Sequence, residues 1–273
     1  MLQTFFFKAT LFFYFLGTLL FLLNLSWDQR KGVPNAAVLS WSQRLAVIVT
    51  GSGFITHTLA LAIRLKEGGY IPLTNLHEAV SFFSWAIVLI FFWVEFKYHI
   101  YILGSFILPL AFLSLISASA LPNNIPDLNP TLSNAWLGIH TTLSVLGIVA
   151  FTVAFIAGIM YLLQERFLKS KQLNTLYDRL PPLDQLDQWN KTAILAGFPL
   201  LTLGIITGAL WAQYAQGSFW GGNNSKQALS LGIWFFYLLV LHGRITVGWR
   251  AKKAARLAII GFVGVIFIFV TLA

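Results

Sequence analysis

Residues 136–163 read WLGIHTTLSVLGIVAFTVAFIAGIMYLL, without a single Asp, Glu, Lys or Arg. A helix crosses the hydrocarbon of a bilayer in about 20 apolar residues, so this run is long enough to span it with several to spare. Inside lipid every backbone N–H and C=O must be bonded within the element, which leaves the helix as the conformation for such a segment. Working outward, seven more runs have the same character, at 9–25, 45–63, 79–94, 100–120, 192–214, 229–241 and 257–272. The run at 229–241 is brief; it is expected to start within 225–228 and to end beyond His242.

Composition agrees with that reading. Hydrophobic residues make up 58% of the 273 residues and charged residues 10%, against roughly 25% in a soluble domain. A soluble globule needs more polar surface than this, and disorder requires low hydrophobicity. The absence of cysteine excludes disulfides, thiolate metal sites, a Cys-x-x-Cys redox pair and covalent haem attachment. A net charge of +9 in a soluble protein would suggest nucleic acid, but here the cations lie between apolar runs and no nucleic acid is expected.

With eight spans, the odd-numbered loops share one side of the membrane. They hold 14 of the 18 Lys and Arg; the other side holds only Lys8, Arg64, Lys66 and Lys226. Cations concentrate on the cytoplasmic side, so both termini are expected to be extracytoplasmic. The expected fold is all-α: a polytopic membrane helix bundle of about eight transmembrane helices, forming a single transmembrane domain over 1–273 in the plasma membrane. Residues 164–191 form a cytoplasmic connection, in which Pro181-Pro182 stops one helix and 183–189 follows as a short interfacial helix. Residues 215–228 form an outer loop.

The span cores carry no carboxylate, lysine or arginine, with Arg64, Glu78 and Glu95 at or near span ends. Ion-coupled transporters need ionisable groups at depth, so a small-molecule transporter is a poor reading. Histidines remain. His57, His77 and His140 fall towards the outer side, His99 in an inner loop and His242 at the inner end of the seventh span. Two imidazoles from different helices suit a haem iron, and a bundle supplies the apolar slot that a porphyrin requires. For His57 and His99 a packing or interfacial role is the simpler expectation.

Four blocks carry a resemblance covering most of the chain after residue 72. They are Asn75-Leu76-His77-Glu78-Ala79; Trp136-Leu137-Gly138-Ile139-His140 running into Ala157-Gly158-Ile159-Met160-Tyr161; Gly197-Phe198-Pro199 through Gly204 to Gly208-Ala209-Leu210-Trp211; and Leu241-His242-Gly243-Arg244 with Gly248-Trp249-Arg250. In order and spacing they resemble the membrane haem-handling superfamily of cytochrome c assembly proteins, the CcsA/ResC and CcmC type, and within it the HemX-like branch. The resemblance implies non-covalent haem b, other membrane assembly proteins and apocytochrome c as partners, and ligation of haem to the apocytochrome. It also implies a tryptophan-rich outer loop that cradles haem between two outer histidines.

By that resemblance His140 is the first outer histidine, His242 an inner one, and Trp211 and Trp220 belong to the loop; His77, on the same expected side as His140, is the replacement iron ligand where the usual partner is lost. The loop departs from the family pattern: Gln216 stands where a Trp is expected, and Gly221-Gly222-Asn223-Asn224 replaces its Trp-Asp end. The second outer histidine, expected after the last span, is absent. A reduced or repurposed haem site is therefore expected. The alternative is a non-catalytic scaffold or regulator of tetrapyrrole biosynthesis.

Overall fold

A computed structural model describes residues 1–27, 41–124, 135–171, 175–220 and 224–271. Among them are the α-helices α1 (Leu2–Trp27), α2 (Trp41–Gly68), α3 (Leu76–Tyr98), α4 (Gly104–Ser119), α5 (Ala135–Ser170), α6 (Thr175–Arg179), α7 (Leu183–Gln216), α8 (Asn224–His242) and α9 (Ala251–Thr271), and no strand. Seven of the described helices are long and apolar enough to cross a membrane, and they coincide with the first seven expected runs. The run at 257–272 falls on α9; its end at Leu272 lies outside the described residues.

The surface is inverted relative to a soluble bundle. Phe5, Phe12, Ile48, Ile55, Leu113, Ile206 and Phe235 are exposed, while Thr10, Thr50, Ser84 and Thr152 are buried. Apolar side chains face outward where the solvent is lipid, and the hydroxyls of Thr10, Ser84 and Thr152 turn inward onto backbone carbonyls. Thr10 donates to the Phe6 carbonyl at 2.8 Å and Ser84 to that of Ala111 at 2.8 Å. The chain is a multi-pass helical membrane protein.

The chain divides into two compact units. The first comprises Met1–Ile125 with Phe167–Pro181, the second Pro126–Arg166 with Pro182–Ala273. In the first, α1 packs along α2 and also meets α4, and α3 packs on α4. Phe21 of α1 is wholly buried, edge-on to Phe91 and stacked on Tyr101 at 4.7 Å. The second is built from α5, α7, α8 and α9 around Phe151, Ala154, Ile194, Leu201, Tyr237, Val240, Ala258 and Phe262. Phe151 of α5 lies flat on Tyr237 of α8 at 3.6 Å between centroids.

Helix α6 ends at Arg179, just ahead of Pro181-Pro182, and residues 183–189 are the first two turns of the 34-residue α7. Proline lacks a backbone donor, which costs nothing just ahead of a helix start, so Pro182 serves as the entry to α7. Within the expected outer loop 215–228, α7 runs to Gln216, where Gly217 closes it at φ 71°, and α8 begins at Asn224. Residues 221–223 of the loop, part of the altered tryptophan-rich motif, lie outside the described residues.

Candidate functional site

The second unit sets His140 against the backbone of α7. His140 lies in the second turn of α5, and its Nδ1 is 2.7 Å from the Gly204 carbonyl oxygen. A carbonyl only accepts, so Nδ1 carries the proton and donates it. In the neutral ring Nε2 is then left with its lone pair, the form in which imidazole ligates a metal. Metal-bound histidines commonly donate their second nitrogen to a carbonyl in this way. The ring is only half-buried.

The close approach depends on two glycines. A Cβ on Gly208 would sit 2.6 Å from His140 Nδ1 and 2.7 Å from its Cε1, and one on Gly204 would sit 2.5 Å from Ser144 Oγ. Positions 204, 208 and 211 share one face of α7, so Trp211, half-buried, lies one turn beyond the imidazole towards the end of the helix. Trp220 follows past Gly217, 55% exposed, its amide donating to Ser218 Oγ at 3.2 Å. Tyr214 and Phe219 are exposed at the same end of α7. Trp234 is elsewhere: ten residues into α8, it stacks on Phe198 and donates to Thr202 Oγ1 at 2.9 Å.

His242 is at the opposite end of the same unit. It closes α8, which starts beside the Trp220 loop and runs roughly 27 Å at 1.5 Å per residue. Its ring is exposed and its Nδ1 meets Thr246 Oγ1 at 3.1 Å, a partner that accepts or donates, so no tautomer is fixed. Beside it, one π-helical turn, Gly243–Val247, presents a buried Arg244 to α7. The guanidinium donates to Asn190 Oδ1 at 2.9 Å and pairs with Asp187 Oδ1 at 3.0 Å, while Asn190 donates to the Ala154 carbonyl of α5.

His77 belongs to the first unit. It is in the first turn of α3, and its Nδ1 is 2.8 Å from the Ala118 carbonyl oxygen, which fixes the same tautomer as in His140. It differs in access. The residue is 4% exposed, with Phe7 5.2 Å from its ring. A pocket beside it, lined among others by Gln3, Phe7, Leu61, Arg64 and Ser81, measures about 240 Å³ including its open mouth. Ligand pockets are typically about 300–1,000 Å³, so this space does not admit a porphyrin. His57, fully buried, has both nitrogens engaged, by Tyr14 Oη at 3.3 Å and Ser81 Oγ at 3.0 Å. His99 is exposed, in the left-handed conformation that ends α3.

Histidines are not the sole titratable groups that the bundle buries. Glu78 is 2% and Arg64 5% exposed, with Arg64 Nε donating to Glu78 Oε1 at 2.8 Å. Glu78 Oε2 accepts from both the amide and the hydroxyl of Thr74, and Arg64 donates on to the carbonyls of Asn123 and Asn124. Tyr70 donates to Glu78 Oε1 at 3.1 Å, and burial pushes its phenol above the usual range. The signal in sequence was the pair Asn75 and Glu78, three residues apart at a helix start. Asn75 indeed caps α3, accepting from the Glu78 amide at 2.9 Å. For Gly204 and Gly208 the signal was their spacing of four on an apolar helix.

The fold and these side chains define a class: a polytopic helical membrane protein that holds two imidazoles in the ligating tautomer by backbone carbonyls. The chain belongs to the cytochrome C assembly protein family, whose model matches residues 73–272. Among curated relatives it is 32% identical over 228 residues to the cytochrome c biogenesis protein CcsA of Guillardia theta, covering 77% of this chain and 75% of the relative. It is 29% identical to CcsA of Trieres chinensis, covering 90% and 88%, and 32% identical to CcsA of Prochlorococcus marinus strain MIT 9312, covering 77% and 75%.

Proposed function

We propose that this protein handles haem b in the assembly of c-type cytochromes, with His140 as the residue that would hold the iron. The observation that carries the reading is the His140 Nδ1 to Gly204 carbonyl bond, which leaves Nε2 unprotonated on a half-buried ring. Haem iron, when bound, supplies a metal centre that accepts such a nitrogen. The protein's part is to hold the imidazole in one tautomer and to offer the faces of Trp211 and Trp220 to an apolar macrocycle. His77 and His242 are secondary candidates: His77 has the tautomer without the space, His242 the exposure without the tautomer.

By the distribution of cations, His140 and the Trp220 loop face the extracytoplasmic side of the plasma membrane, as do both termini. Apocytochrome c and other membrane proteins of cytochrome assembly are the partners of this reading. Purified from haem-supplied cells, the protein should show a haem absorbance that shifts or disappears in His140→Ala. A wild-type preparation free of haem absorbance removes the proposal. It would leave a scaffold or regulator of tetrapyrrole biosynthesis, a reading favoured by Gln216 in place of a tryptophan and by the Gly221-Gly222-Asn223-Asn224 end of the loop.

A further inference from the structure

On α9, Lys253, Arg256, Ile260, Val263 and Phe267 are all exposed. They follow one another at intervals of three, four, three and four residues, which places them in a single stripe down the helix. The opposite face, Ala254, Ala255, Ala258, Phe262 and Val265, is buried in the second unit. The stripe is divided along its length: two cations at the start, then apolar side chains between 55% and 60% exposed. Arg250 stands exposed just ahead of the helix.

The cationic end is organised and lacks acidic neighbours on its own helix. Lys253 Nζ sits 3.7 Å over the Trp249 ring, and indoles of this kind settle at headgroup depth. Lys252, off the stripe, is paired with Glu165 at 3.3 Å, whereas α9 itself contains no Asp or Glu. From Arg256 to Phe267 the helix rises roughly 16 Å, about half of the ~30 Å hydrocarbon core. The apolar part is therefore as long as the acyl depth of one leaflet, and the two cations stand at one end of it.

We propose that this stripe binds an anionic phospholipid of the bilayer, its phosphate between Lys253 and Arg256 with Arg250 nearby, and its acyl chain along Ile260, Val263 and Phe267. Charge complementarity selects the anionic headgroup, and the apolar stripe selects a lipid over a free anion. Each cation near an anionic headgroup is worth about fivefold in binding.

The test is native mass spectrometry of the full chain in detergent, titrated with phosphatidylglycerol and phosphatidylcholine of identical acyl chains. Wild type should take up phosphatidylglycerol preferentially, and the double variant Lys253→Gln with Arg256→Gln should lower that preference roughly 25-fold. The charge-conserving pair Lys253→Arg with Arg256→Lys should retain it, and the single Arg256→Gln, with a fivefold loss, reports if the double variant does not purify. An unchanged lipid ratio in the glutamine variants overturns the proposal. So does displacement of phosphatidylglycerol by equimolar inorganic phosphate, since that makes the site one for free anions.

Discussion

Glu78→Gln keeps the shape of the side chain and removes its charge, and should destabilise the first unit by about 3–5 kcal/mol, the cost of breaking a buried ion pair from one side. The magnitude follows from the partners. Glu78 accepts from Arg64 and Tyr70 on one oxygen and from the Thr74 amide and hydroxyl on the other. A glutamine has one oxygen, so whichever way it turns, its amide faces donors where an acceptor stood. Arg64, 5% exposed, also keeps its charge with no carboxylate opposite it.

The assay is reversible unfolding of purified protein in mixed micelles, followed by circular dichroism. Lys252→Ala provides the scale: its pair with Glu165 leaves the lysine side chain 41% exposed, and a pair of that kind is worth about 0–1 kcal/mol. The double variant Arg64→Met with Glu78→Leu removes both charges and should cost less than Glu78→Gln alone. A Glu78→Gln protein within 1 kcal/mol of wild type, or a double variant less stable than the single one, would refute the view of this pair as a dry, mutually dependent contact.

Gly208→Leu should drive the His140 ring from its place, since a Cβ alone would lie 2.6 Å from Nδ1; the expected result is loss of any His140-dependent haem spectrum with the helical circular dichroism retained. Tyr70 has a raised phenol pKa through burial, so the stability it confers is complete below the unfolded value of about 10 and is lost as pH rises through its higher folded value. Tyr70→Phe should therefore flatten the alkaline limb of a stability–pH curve and, by losing one hydrogen bond, cost about 1 kcal/mol at neutral pH. Because the chain has no cysteine, Ser218→Cys and Ser170→Cys make clean topology probes. An impermeant maleimide applied to intact cells should label the first and spare the second; the reverse pattern overturns the orientation drawn from the 14 inner cations.

Local order was legible because it depends on short-range chemistry. Runs of apolar residues marked the seven long helices. How far the helix after Pro182 would run was not legible; it continues to Gln216 as the 34-residue α7. Arg244 was assigned to a loop because sequence gives no warning of a π-helical turn; there it is buried against Asp187 and Asn190.

The candidate site divides in the same way. Sequence alone determined that this is a helical membrane protein without thiol chemistry, because composition carries that information; the family resemblance pointed to His140, His242, Trp211 and Trp220, and the expected side of the membrane to His77. Only the tertiary structure separated the histidines by hydrogen-bond partner and access. Which nitrogen of an imidazole holds the proton depends on the atom facing it across a helix contact, and how much room remains depends on what packs beside it. His57 is engaged on both sides, His77 is enclosed, and His140 rests on Gly204 and Gly208 of α7, 64 and 68 residues further along the chain, where only packing could bring them together.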